Sequence, residues 1–191
     1  MLFPESGGVL KNVDAWVMRG NAFFKANNLF DSEESYIKAL RFSAEQKKPV
    51  DPILQERLGI VYAKRKAWRD AKTVFLKCCK ERVSTTSWFF LGLSLLRLGE
   101  LEEAEDAISQ ANVLDNTNPK VWGLMTILCL STGNAKDGPQ RLTQANMSFK
   151  QANDLGLQDS LLIEEIGDLY YGHGELDQAL IAYRIVSDIA P

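Results

Sequence analysis

The sequence is poor in the residues from which catalytic and metal sites are usually built. Its 191 residues hold a single histidine, His173, and only three cysteines, Cys78, Cys79 and Cys129. None of them has Cys-x-x-Cys or His-x3-His spacing, so neither a metal site nor a cofactor is expected. An odd number of cysteines without framework spacing excludes a disulfide scaffold and predicts reduced thiols in a cytosolic setting. Proline (6) and glycine (13) are too scarce for a fibrous or disordered chain. There is no excess of positive charge: 22 Lys and Arg stand against 25 Asp and Glu, so nucleic acid is not an expected partner. No apolar run approaches the roughly 20 residues of a membrane span, so no membrane partner is expected either. The opening MLFPESGG lacks a basic stretch followed by an apolar core, so no secretory signal is expected there. Gly7-Gly8 is an isolated pair and forms no phosphate loop. Residues 1–12 are expected to be flexible.

What the sequence does contain is repetition. Trp16, Gln55, Trp88, Trp122 and Ile163 begin a shared pattern, at spacings of 39, 33, 34 and 41 residues. Four positions later stand Gly20, Gly59, Gly92, Thr126 and Gly167. Three further on are Phe23, Tyr62, Leu95, Cys129 and Tyr170. The i, i+4, i+7 spacing is one face of a helix. A second helical pattern follows each time. A small residue opens it (Ser32, Ala71, Ala104, Ala145, Ala179), then a large one (Tyr36, Phe75, Ile108, Phe149, Tyr183), then Ala39, Cys78, Ala111, Ala152 and Val186. Glycine on the first helix is expected to face the alanine column on the second, because helices approach closely only where side chains are missing. Leu29, Trp68, Leu101 and Leu176 open the second helices and are expected in the same core.

Punctuation agrees with the pattern. Asp51-Pro52 and Asn118-Pro119 place a capping residue before a first-turn proline. Gly99, Gly133 and Gly156 stand where helices end, Asp31 with Glu34 has capping-box spacing, and Pro191 stops the last helix. About five extra residues around Gln46–Asp51 predict a loop between pairs. About seven more within Ser131–Gln144 predict a longer turn in the fourth repeat.

These columns resemble the tetratricopeptide repeat (TPR) family, whose period is 34 and whose pattern is W-x2-L-G-x2-Y, A-x3-F, then P. The run from Trp88 through Leu91-Gly92 to Ala104, Ile108 and Ala111 is the clearest match. The resemblance implies an all-α, right-handed superhelical solenoid of about five helix-turn-helix pairs. Its repeats are expected at 13–46, 52–84, 85–118, 119–159 and 160–191, a TPR domain over 13–191. The chain stops at the fifth repeat without a polar capping helix, which predicts a piece of a larger protein.

In TPR proteins the first helix of each pair lines a concave, protein-binding groove. Helical phase places Asn21, Phe24 and Lys25 there from the first repeat, then Ile60, Ala63 and Lys64. Phe89, Leu93, Leu96 and Arg97 follow, then Gly123, Ile127 and Leu130, and last Glu164, Asp168 and Tyr171. The expected binding residues are therefore Asn21, Lys25, Ile60, Lys64, Phe89, Leu93, Leu96, Arg97, Ile127, Leu130, Glu164 and Asp168. Two readings stay open. In one, an apolar middle flanked by lysines and carboxylates receives an amphipathic helix of a partner, or a segment of the parent protein. In the other, the same apolar residues pack against their neighbours in a tight coil.

The two-carboxylate clamp with which some TPR cochaperones hold heat-shock-protein tails is not expected. Its positions fall on Val17, Asn21, Arg57, Thr86 and Phe90, and only Asn21 fits. No catalytic residue is expected. His173 lies in the turn Tyr171-Gly172-His173-Gly174 and reads as solvated, and Glu102, Glu103, Glu105 and Asp106 read as a solvated outer face. Over residues 88–130 the chain resembles the C-terminal TPR region of a cilia- and flagella-associated protein of motile axonemes. Trp88, Leu91-Gly92, Glu102–Ala107, Ala111-Asn112, Val121-Trp122 and Leu128-Cys129-Leu130 carry that likeness. It implies a non-catalytic scaffold or docking module of the axoneme, associated with dynein arms, with a cytoplasmic and ciliary location. The alternative is a general cytosolic TPR adaptor.

Overall fold

The computed structural model describes residues 12–49, 51–132 and 138–189. Among them the regular elements are ten α-helices: α1 (Val13–Lys25), α2 (Leu29–Glu45), α3 (Pro52–Lys64), α4 (Trp68–Glu81), α5 (Thr85–Leu98), α6 (Leu101–Leu114), α7 (Pro119–Thr132), α8 (Gly138–Asp154), α9 (Ser160–Gly172) and α10 (Leu176–Ile189). They pack as consecutive pairs, α1 on α2 through α9 on α10. Two compact units result, with the boundary between Val83 and Ser84. The first holds α1–α4 and the second α5–α10.

Local chemistry sets the helix starts. Asp51 accepts from the Ile53 amide at 2.9 Å with Pro52 behind it, and Asn118 accepts from the Lys120 amide at 3.0 Å with Pro119 behind it. Asn12, Ser84 and Asp159 cap α1, α5 and α9 in the same way. Each satisfies an N–H that the helix itself cannot. The start of α2 differs from expectation. Its cap is Asn28, whose oxygen accepts from the Asp31 amide, while its amide nitrogen donates to the Asp31 carboxylate at 2.6 Å. Asp31 thus lies inside the first turn, and Glu34 pairs instead with Lys38 at 2.6 Å.

The four described turns within pairs share one left-handed residue. Gly99 and Gly174 supply it in the second unit, with φ of 77° and 79°. In the first unit Asn27 and Lys66 stand at the same place with φ of 56° and 60°. Gly156, with φ of 81°, follows α8. Gly133 and Pro191 lie outside the described residues, as does Gly7-Gly8. The expected long turn of the fourth repeat is partly helical: Gln140–Gln144 belong to α8, which has 17 residues where α4, α6 and α10 have 14.

The repeat columns build the cores. Ser32, Ala71, Ala104, Ala145 and Ala179 are buried, as are Tyr36, Phe75, Ile108 and Phe149. The glycines, however, face the large column rather than the alanines. A Cβ on Gly59 would stand 2.7 Å from Phe75, one on Gly92 would stand 2.6 Å from Ile108, and one on Gly167 would stand 2.8 Å from Tyr183; Gly20 meets Tyr36 in the same manner. The reason is reach. A side chain one turn further along α2, α4, α6 or α10 spans the space that a missing Cβ opens, so glycine makes room for a ring or a branched chain. Ser32 stays close by and donates its hydroxyl to the Gly20 carbonyl at 3.0 Å. Leu176 opens α10 but is exposed, unlike its half-buried counterparts Leu29, Trp68 and Leu101.

Candidate protein-binding surfaces

In the first unit α1 and α3 are tied through Asn21. Its side-chain oxygen accepts from the Tyr36 hydroxyl at 2.8 Å and from the Arg57 guanidinium at 3.0 Å. Burial pushes the Tyr36 hydroxyl up from its ordinary pKa, so it stays protonated and donates. Phe24 packs on the core cluster of Tyr36, Ala39, Leu54, Leu58 and Val61. The Lys64 ammonium stands 5.4 Å from the centre of the Phe24 ring. Lys25, Arg57 and Lys64 are exposed, Asn21 and Ile60 are half-buried, and Ala63 is buried.

The first helices of the second unit behave differently. Leu96 (8% exposed), Ile127 (1%) and Leu130 (4%) are core residues and offer no free side chain. Gly123 is buried too, and a Cβ there would stand 2.7 Å from Leu162 of α9. At these positions the expectation of an open apolar floor is corrected: α9 lies on α7, where Gly123, Ile127 and Leu130 stand, and Leu96 of α5 is interior as well. Arg97 is held bidentately by Glu165. Asp168 accepts from the Tyr183 hydroxyl at 2.7 Å. Phe89 and Leu93 are half-buried, while Glu164 and Tyr171 are exposed.

The residues considered for chemistry take structural places. His173 is not simply solvated: its Nε2 lies 2.8 Å from the Leu130 carbonyl, near the end of α7. Glu102, Glu103 and Asp106 are exposed, but Glu105 receives both guanidinium nitrogens of Arg141, at 2.8 and 2.9 Å. That hydrogen-bonded pair lowers the Glu105 pKa. Burial pushes the Cys78 thiol up to about 11 and the Cys79 thiol up to about 12, which removes thiolate character near neutral pH. Among the described residues no cluster of three or more His, Cys, Asp or Glu could hold a metal. No described helix is long and apolar enough to cross a membrane.

The model of the family described as "Cilia and flagella-associated protein 70 C-terminal domain" matches residues 2–185. The chain belongs to this family. Among curated relatives, the cilia- and flagella-associated protein 70 of Homo sapiens is 32% identical over 158 residues, 83% of this chain and 13% of that protein. The chain thus spans about an eighth of the length of that relative. Two solved structures are similar in fold. One is MamA 41-end from Desulfovibrio magneticus RS-1, with a TM-score of 0.68 and 15% identity over 93% of this chain and 94% of that one. The other is YrrB, described as a TPR protein with an unusual peptide-binding site, with a TM-score of 0.63 and 18% identity over 95% of this chain and 88% of that one. At such identities the likeness shows the fold, an all-helical TPR array. In this member of the cilia and flagella-associated protein 70 family, Arg57 is the surface residue that sequence reasoning passed over. It falls on a clamp position that it does not fit, and its bond to Asn21 joins residues 36 apart in the chain.

Proposed function

We propose that this chain is a non-catalytic protein-interaction scaffold within a ciliary protein, acting in assembly of the axoneme or of its dynein arms. Membership of a family named for cilia and flagella supports the setting. The observation that carries the binding role is the face of α1 and α3, where exposed cations, half-buried apolar side chains and a doubly held asparagine share one surface. Asn21, held by two hydrogen bonds, and Phe24, packed on the core, are already in place, so a ligand meets them at little conformational cost.

The test is capture from axonemal extract of motile cilia on the immobilised chain, with bound proteins identified by mass spectrometry. Enrichment of dynein-arm or axonemal components over a cytosolic extract is expected. Capture of cytosolic complexes alone would replace the ciliary scaffold with a general TPR adaptor.

A further inference from the structure

The two units carry opposite charge. Up to Val83 sixteen Lys and Arg stand against ten Asp and Glu, net +6; from Ser84 on, six stand against fifteen, net −9. Within the first unit the carboxylates are largely committed away from the α1/α3 face. Glu34 pairs with Lys38, Glu45 with Arg41, Glu33 with Arg65, Glu81 with Lys77, and the buried Glu56 with Arg82. Lys25, Arg57 and Lys64 enter no ion pair among the described residues. Asp14, the acidic residue of α1, sits in its first turn, where a negative charge favours the helix N-terminus.

A second observation is independent of charge. Tyr36 and Arg57 both bond the Asn21 oxygen, so the amide NH2 of Asn21 has no protein partner among the described residues. A half-buried pair of N–H donors beside three unpaired cations favours an incoming carbonyl or carboxylate. Phe24 and Ile60 between them favour apolar side chains.

Resting on the scaffold reading, we propose that this face binds an acidic peptide segment of a partner protein, one in which Asp and Glu alternate with apolar residues. Its carboxylates would meet Lys25, Arg57 and Lys64, its apolar side chains would lie on Phe24 and Ile60, and an oxygen would accept from the Asn21 amide. A nucleic acid suits the face less well, because the half-buried Phe24 and Ile60 offer apolar surface where a run of phosphates would need further cations. A second copy of the chain suits it less well because several carboxylates of the second unit are already engaged, with Arg97, Lys120, Arg141 and Tyr183.

The test uses the full chain and a fluorescein-labelled synthetic peptide of Glu, Asp and Leu, read by fluorescence anisotropy. Saturable binding that weakens with salt is expected, and Lys25→Glu/Lys64→Glu should weaken it at least about tenfold. Arg69→Glu/Lys80→Glu on α4 changes net charge equally and should leave affinity near wild type. Asn21→Ala, which leaves net charge unchanged, should weaken it several-fold. Circular dichroism melts confirm that each variant folds. Equal losses from the two charge reversals overturn the proposal, since net charge alone would then explain binding. So does tighter binding of a single-stranded RNA oligomer, or a dimer in sedimentation that Lys25→Glu/Lys64→Glu dissolves. Undiminished capture of axonemal proteins by the Lys25→Glu/Lys64→Glu chain would reject this face while leaving the scaffold reading intact.

Discussion

The two units are built to one recipe and present their first helices differently. In the first unit Ile60 is half-buried, and Lys25, Arg57 and Lys64 are exposed and enter no ion pair among the described residues. In residues 84–189 Ile127, at the position of Ile60, is core, although Leu93 at that position of α5 is half-buried. Leu96 and Leu130 are core, as Ala63 is at the same position of α3, and Arg97, at the position of Lys64, is locked to Glu165. The lesson is that place in a repeat does not by itself decide whether a residue meets a ligand or a neighbouring helix. Gly123 lets Leu162 approach, and that approach turns a prospective binding floor into interior.

The contrast breaks most visibly under a buried charge. Ile127→Glu places a carboxylate at a site with 1% exposure and should cost on the order of 4 kcal/mol or more. Ile60→Glu, at a half-buried site, should cost under about 2 kcal/mol. Urea unfolding midpoints measure both; equal losses would mean that the two units treat the position alike.

Glycine substitutions probe how far each core ring can yield. Gly59→Ala meets Phe75, which is fully buried, and should destabilise by about 1–3 kcal/mol. Gly167→Ala meets Tyr183 at nearly the same distance, but that ring is 36% exposed and can move. Its cost should fall below about 1 kcal/mol. Thermal melts that rank the two variants the other way would remove ring mobility as the cause.

Smaller again are the left-handed turns. Gly99→Ala should destabilise by about 1 kcal/mol, and Lys66→Gly should stabilise by up to about 1 kcal/mol, because Lys66 holds a φ of 60° that glycine adopts without a Cβ clash. A loss on Lys66→Gly would show that its side chain contributes more than its backbone strain costs.

The smallest effect belongs to Glu105 and Arg141. Both are partly exposed, so the pair should contribute about 0.5 kcal/mol. The folded-state pKa of Glu105 is lowered, so this contribution is present above the carboxylate's unfolded pKa and lost as pH falls through its folded pKa. The stability gap between wild type and Glu105→Gln should therefore shrink in acid, as stability curves at descending pH would record. A gap independent of pH would remove the ion pair as its source.

Much of the fold was readable because local chemistry writes it. Asp51-Pro52, Asn118-Pro119 and Gly99 act on their own helix ends, and the small and large columns recur where packing needs them. What escaped depended on side chains meeting across space. The glycine column was matched to alanine because both are small, yet the ring one turn along reaches the gap. Asn28 was passed over as a cap because Asp31 and Glu34 have the familiar spacing. The surface proposed for binding was half readable. Asn21, Lys25, Ile60 and Lys64 follow from helical phase, whereas the burial of Leu96, Ile127 and Leu130 depends on how α5, α7 and α9 pack together, which helical phase along one helix does not encode.

The solitary histidine turns a packing detail into an experimental handle. A carbonyl can only accept, so His173 meets Leu130 through a protonated Nε2. With one imidazole in 191 residues, the ring resonances in a magnetic resonance spectrum belong to one place without any assignment effort. That signal watches the junction where the turn after α9 touches the end of α7. Any partner or mutation that loosens the fifth helix pair from the fourth should move it, while events confined to α1–α4 should leave it still.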